Sequence, residues 1–133
     1  MEVSRALAKL TQQNAKSLGL SLQQLGVINT IYSKPSITIK EITQRLFLSK
    51  STASMNVDAL VKLGLVERNV SKEDRREVNL TLTDEGAELS RKSSQNPASY
   101  KAMINAIEKI SQEDIGKLLQ LHGELLSNLN SFQ

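Results

Sequence analysis

Two clusters of side chains carry the chemistry that this 133-residue chain can offer. One is Ser49-Lys50-Ser51-Thr52, continued by Ser54 and Met55. The other is the run Ser71-Lys72-Glu73-Asp74-Arg75-Arg76. Small hydroxyls beside ammonium and guanidinium groups donate hydrogen bonds to phosphate oxygens and to base edges, and arginine can grip a phosphate with two parallel N–H donors. Other chemistries lack their parts. His122 is the only histidine, there is no cysteine, and no pair of acids clusters with a base. Neither a nucleophile nor an acid–base couple can be assembled, so no catalytic residue is nominated and the chain is not expected to be an enzyme. A thiolate sensor and a cysteine-based metal site are equally absent, and no cofactor is expected.

Both clusters need elements that hold them outward, and the helix-start signals are legible. Ser21-Leu22-Gln23-Gln24 fits a capping box, in which Ser at the N-cap and Gln three residues on satisfy two orphan backbone donors. It predicts a helix from Leu22 to about Tyr32, with Leu22, Leu25, Ile28 and Ile31 or Tyr32 on one face. Lys34-Pro35-Ser36 ends it, because proline disfavours helix at the preceding residue. Thr38-Ile39-Lys40-Glu41 is a second capping box and opens a short helix to about Leu46. After the turn Phe47-Leu48, Ser49 caps a third helix, with Leu48 and Ala53 as a hydrophobic staple. Ala53, Val57, Leu60 and Leu63 supply its apolar face, and Gly64 is the expected C′ residue.

The period then changes. Leu65 to Val70 reads as a strand, and Glu77 to Thr83 as a clearer one in which Val78, Leu80 and Leu82 alternate with Asn79 and Thr81. The charged run between them is long for a hairpin loop, and such loops tend to be functional. Thr83-Asp84-Glu85 starts a helix to about Lys92, with acids where the helix dipole favours them. Ser93 to Ser99 is polar and contains Pro97, which predicts a break. A helix resumes near Tyr100 and ends by Ile110. Ser111-Gln112-Glu113-Asp114 caps the last helix, with Ile110 and Ile115 in staple positions.

Helix, short turn, helix and a hairpin with a basic loop is the plan of a winged helix-turn-helix. The fold class is mostly α with a small two- to three-stranded antiparallel β-wing, plus helical regions at both ends. The DNA major groove admits one helix, whose N-terminal residues reach base edges. A hairpin tip can place arginine in the minor groove, where the potential is most negative. Asp74 is expected to orient a neighbouring guanidinium by charge-assisted hydrogen bonds. The DNA-binding candidates are Thr38 and Lys40, then Ser49, Lys50, Ser51, Thr52, Ser54 and Met55, then Lys72, Asp74, Arg75 and Arg76. Singly, the first cluster also describes the outside of any amphipathic helix, and the second a solvated turn. Their succession at this separation is more specific than either. Charge agrees: Lys34 to Arg76 holds nine Lys/Arg against five Asp/Glu, a balance of +4, whereas 98–133 holds three Lys against four acids, a balance of −1. A basic middle suits a phosphate-binding surface.

Ile37 to Leu89 resembles the MarR family of bacterial regulators. The sharpest part is Asp74-Arg75-Arg76 followed by Leu80-Thr81-Leu82-Thr83 and Gly86, which is similar to the family's Asp-x-Arg wing and LTxxG helix start. Leu63-Gly64-Leu65-Val66 and, more weakly, Leu18 to Ile31 and the last helix extend the resemblance. On it, Ser49 to Met55 match the start of the recognition helix, Asp74 and Arg76 the two defined wing positions, and Arg75 the variable one between. Met55 and Asn56 depart from the family pattern, the first where a polar or basic residue is found in some members, the second where an apolar one is common. Pro97 interrupts the long fifth helix the family would have.

The resemblance implies a homodimer built from the N- and C-terminal helices. The apolar pattern agrees: Ile115, Leu118, Leu119, Leu121, Leu125, Leu126, Leu129 and Phe132 make a stripe wider than one intramolecular face needs, and Val3, Leu7 and Leu10 add another. Three regions are expected: 1–20 for dimerisation, 21–92 as the winged helix-turn-helix (recognition helix about 49–63, wing about 65–83), and 93–133 for dimerisation. The function expected is a ligand-responsive repressor that binds an inverted-repeat operator in double-stranded DNA. A winged-helix adaptor for proteins is the alternative, disfavoured because it needs no paired arginines at a loop tip. Small anionic or phenolic effectors are common in the family, and nothing in the sequence identifies one. His122 reads as an interface histidine or as a pH-sensitive or ligand-binding one. Core packing is expected for Phe47 and Phe132. With 39% apolar and 23% charged residues, no apolar run of membrane-span length and no apolar leader in MEVSRALAKL, a soluble cytoplasmic protein without a membrane partner is expected.

Overall fold

A computed structural model describes residues 2–95 and 98–132. The elements run α1 (Glu2–Ser17), α2 (Leu22–Ser33), β1 (Ile37–Thr38), α3 (Ile39–Leu46), α4 (Lys50–Lys62), β2 (Val66–Val70), β3 (Val78–Leu82), α5 (Asp84–Gln95), α6 (Ala98–Ile107) and α7 (Gln112–Asn130). They divide into two units, 1–98 and 99–133. The architecture is helical with a small antiparallel wing, as the sequence implies. The first helix packs against α2 and so lies in the same unit as the winged helix.

In the first unit α2 is the axis. Both capping boxes form: Gln24 N donates to Ser21 Oγ at 3.1 Å and Ser21 N to Gln24 Oε1 at 2.9 Å, while Glu41 N donates to Thr38 Oγ1 at 3.2 Å and Thr38 N to Glu41 Oε2 at 3.0 Å. Leu25, Ile28 and Ile31 are buried as their spacing predicts, and Val27 on another side is buried too. The helix is enclosed by α1, α3, α4, α5 and β3, so a single apolar stripe understates what it must bury. Ile37, Ile42, Ala53, Val57, Leu60, Leu65, Val66 and Leu80 complete the core around it.

Leu63 departs from its expected role, being 54% exposed. The cause is the end of α4. Gly64 takes φ +73°, Leu65 N donates to Leu60 O and Gly64 N to Val61 O, both at 3.0 Å, which closes a Schellman motif. That turn carries Leu65 inward in place of Leu63. The sheet has the order β1-β3-β2, with Ile37 opposite Leu80 and Val66 opposite Leu82. The two wing strands are each slightly shorter than predicted. The third strand is Ile37 and the α3 cap Thr38, too short to show as an alternating pattern.

The expected break from Ser93 is narrower than the composition implies, since Ser93 to Gln95 continue α5. Ser90 and Ser93 are buried, and their hydroxyls donate to Asn29 Oδ1 of α2 at 2.8 and 3.2 Å. Polarity that suggests a loop is here a satisfied seam between helices. The expected irregularity at Pro97 lies outside the described residues. In the second unit α6 ends at Ile107, within the bound of Ile110 that the sequence sets. Ser111 caps α7 by accepting from Asp114 N at 3.1 Å. No residue of α7 is buried. Among the described residues, no helix is long and apolar enough to cross a membrane.

Candidate nucleic-acid interface

The wing tip is shaped by Asp74. Its carbonyl accepts from Glu77 N at 3.0 Å and its carboxylate Oδ1 from Arg76 N at 2.9 Å. Both bonds tie the loop's own backbone, a turn for which aspartate is well suited. The expected grip of Asp74 on a guanidinium is therefore corrected: the carboxylate holds Arg76 by its main chain and leaves its side chain unpaired. Ser71 N donates to Glu77 O at 3.0 Å, and Ser71 Oγ accepts from Glu73 N at 3.2 Å, closing the base of the same loop.

The start of α4 is built by Ser49. Its hydroxyl accepts from Thr52 N at 3.1 Å and lies 2.8 Å from Thr52 Oγ1. At 100° per residue, Ser51, Met55 and Lys62 stand opposite the buried face of Ala53, Val57 and Leu60. Met55 is 69% exposed, whereas Ser54 is half-buried on the flank. Asn56 answers its departure from an apolar residue by donating to Gln23 Oε1 of α2 at 3.2 Å and to Thr52 O at 3.0 Å.

Wing and helices meet in an open groove of about 560 Å³ lined by Thr38, Ile39, Lys40, Lys50, Asp74, Arg76, Glu77 and Val78, so two wing carboxylates share it with the basic groups. Three basic side chains from α3, α4 and the wing thus share one concavity. Among the described residues none of Lys40, Lys50, Arg75 and Arg76 is in an ion pair. The N-terminal end of α4 adds its partial positive charge to the same place. The nearby pair Lys34–Glu41 is of another kind: that ammonium and the Thr38 N–H hold the Glu41 carboxyl below its ordinary range.

The MarR family model matches residues 18–77, which span α2, the helix-turn-helix and the wing loop. Similar regulators align along almost the full chain, two of them as follows. The HTH-type transcriptional regulator SarZ of Staphylococcus haemolyticus is 31% identical, over 94% of this chain and 82% of that protein. The organic hydroperoxide resistance transcriptional regulator of Bacillus subtilis is 27% identical, over 96% and 84%. The crystal structure of the multiple antibiotic-resistance repressor (MarR) of Listeria monocytogenes is 38% identical, covers 97% of this chain and 88% of that one, and superposes with a TM-score of 0.66.

This chain belongs to the MarR family.

It is accordingly a transcription regulator and not an enzyme. A further MarR-like neighbour, Streptococcus pneumoniae FabT solved in complex with DNA, is 26% identical with a TM-score of 0.71, over 86% of this chain and 78% of that one. The family's motifs acquire physical reasons in this regulator. Asp-x-Arg is the wing turn just described. In LTxxG, Thr83 Oγ1 accepts from Gly86 N at 3.1 Å and donates to Gly64 O at 2.7 Å, while a Cβ on Gly86 would lie 2.1 Å from Leu65 O. Threonine is the cap and glycine the only residue that lets α5 approach so closely.

Of the twelve nominated residues, the groove gathers Thr38, Lys40, Lys50, Asp74 and Arg76. Ser51, Met55, Lys72 and Arg75 are exposed but do not line it, whereas Thr38 and Ser49 spend their hydroxyls on helix caps. Sequence reasoning missed Asp58 and Arg68, which pair between α4 and β2. The signal was available: Arg68 stands between Val66 and Val70 in strand alternation. The expectation of buried phenylalanines is overturned, since Phe47 is 94% and Phe132 89% exposed. Phe47 closes α3 with φ 53°, in the turn of the helix-turn-helix, where its side chain has no core to enter.

Of the dimerisation candidates, Leu7, Leu10 and Ile115 are half-buried; Val3 and the α7 leucines Leu118, Leu119, Leu125, Leu126 and Leu129 are each at least 50% exposed. His122 is exposed on the same helix.

Proposed function

We propose that this regulator binds an inverted-repeat operator as a homodimer and represses transcription until a small molecule releases it. The convergence of Lys40, Lys50 and Arg76 in one groove beside the N-terminus of α4 carries the DNA reading. Phosphates in that groove would position α4, so that Ser51 and Met55 meet base edges in the major groove while Arg75 and Arg76 reach the minor groove. FabT's DNA complex and the repressor from Listeria support the same reading. The second copy is inferred from α7, whose leucines are exposed and none of whose residues is buried among the described residues. Two copies related by a two-fold axis would read half-sites about one helical turn, roughly 34 Å, apart. With no cysteine in the sequence, release would come from a ligand that favours one dimer spacing, not from thiol oxidation.

A gel shift with DNA from upstream of the regulator's own gene, followed by binding curves at several salt concentrations, tests this. Arg76→Ala should weaken binding to operator and scrambled duplex alike, and lower the salt slope by about 0.9 for each phosphate that the side chain neutralised. Unchanged affinity and slope would refute the wing assignment and favour the adaptor.

A further inference from the structure

Arg68 is a charged residue on the inner face of a strand. β2 pairs Val66 with Leu82, Arg68 with Leu80 and Val70 with Val78, and directly opposed residues share a face. Val66 is 2% exposed and Leu80 fully buried, which identifies that face as the one packed on the core. Val70, two residues past Arg68, is 60% exposed. Arg68 therefore stands where the wing leaves the core and apolar packing stops holding it. There its Nη2 donates to Asp58 Oδ1 on α4. Among the described residues, no other side-chain hydrogen bond joins α4 to the wing strands.

Asp58 follows Met55 by three residues and Ser54 by four, so it neighbours both on the outward side of α4. An acid there would repel the phosphates that this side is to meet, and the Arg68 guanidinium cancels it. The two side chains are 40% and 52% exposed, and an ion pair so open to water adds little to folding stability. Its place at the joint between helix and wing gives it another use.

We propose that the Asp58–Arg68 pair is a positioning device that sets the angle between the recognition helix and the wing, and thereby lets one protein surface engage two adjacent DNA grooves at once. The inference rests on the DNA reading above. It assigns to Asp58 and Arg68 an effect on sequence preference without a contact to any base. Breaking the pair frees the wing to swing, so contacts by α4 and by Arg75 and Arg76 no longer form together. Non-specific binding, which needs only positive charge, does not require that registration.

The test uses the full chain and two probes: a duplex that the wild type selects from a random pool, and a scrambled duplex of the same composition. Asp58→Asn should weaken binding to the selected duplex on the order of tenfold, the equivalent of one base-edge hydrogen-bond pair. Binding to the scrambled duplex should hold or rise, because a negative charge has gone, and the melting temperature should stay put. Arg68→Gln should also lose preference, with a drop on both probes. Exchanging the charges, Asp58→Arg with Arg68→Asp, should restore the preference that either change removes. If Asp58→Asn raised affinity for both duplexes by the same factor, the pair would be only a charge mask and the inference would fall. Equal losses on both duplexes with a lowered melting temperature would reduce it to a fold contact, and an exchange without rescue would also overturn it. A wild type that selects no sequence would overturn the DNA reading as well, an outcome distinct from all of these.

Discussion

Helices α2 and α7 carry nearly the same number of large apolar side chains, six in 12 residues and seven in 19, and meet opposite fates. α2 buries Leu25, Val27, Ile28 and Ile31 to 3% exposure or less, against α1, α3, α4, α5 and β3 of its own unit. α7 has Leu118, Leu119, Leu121, Leu125, Leu126 and Leu129, and each is at least half exposed. Apolar content therefore does not say where a helix belongs. The first is the axis on which the winged helix is assembled; the second leaves its leucines exposed, the surface proposed above to meet a second copy. The buried core runs from Ala15 to Leu80, within the first unit, so the winged helix is expected to fold without a partner, and the exposed leucines of α7 lie outside that core.

The largest effect that would break this contrast comes from charging α7. Leu118→Glu with Leu125→Glu should leave a folded monomer by sedimentation. Its affinity for a two-half-site duplex should fall by about 10²–10⁴-fold, the range expected when two linked sites act singly. A variant that stays dimeric would move the interface off α7. Next in size, Ile28→Ala should lower the unfolding free energy by about 2–5 kcal/mol in urea titrations. Leu125→Ala, measured on diluted monomer, should stay within about 0.5 kcal/mol. Equal costs would show that α7 is packed within its own chain.

The two serine caps sharpen the comparison. Ser49→Ala removes the acceptor for Thr52 N and should cost about 1 kcal/mol, whatever the protein concentration. Ser111→Ala should cost a similar amount, but only at concentrations where the dimer forms. Dependence of the Ser49→Ala cost on concentration would contradict the self-sufficiency of the winged helix. The smallest effect is one of pH. The Glu41 carboxyl, held down by Lys34 and the Thr38 N–H, adds stability that is present above the ordinary glutamate value and is lost as pH falls through its lower folded value. Glu41→Gln should therefore flatten the acid side of the stability profile slightly, with no change near neutrality.

Where signals were local, the sequence was enough to place the elements. Capping boxes at Ser21 and Thr38 need only four residues each, and both formed. Gly64 ended α4 because a left-handed residue there closes the helix within the same turn. The wing followed from alternation in Val78, Leu80 and Leu82. Errors came where a residue's partner lies far along the chain. Ser90 and Ser93 looked like the edge of a loop because nothing local shows that Asn29 will receive their hydroxyls. Asp74 looked like a holder of guanidinium because composition does not tell a carboxylate whether main chain or side chain will reach it first.

The sequence by itself determined the order of the helices and of the two wing strands, though not β1, together with the family and the identity of the basic residues, because caps, periods and turn residues act over a few positions. Only the tertiary structure decided that Lys40, Lys50 and Arg76 share one groove, that Asp58 meets Arg68, and that Leu65 rather than Leu63 turns inward. Those outcomes depend on the angles at which α3, α4 and the wing cross. The angles are set by how Ile37, Ile42, Val57, Leu60 and Leu80 fill one core, a many-body packing that no short window of sequence contains.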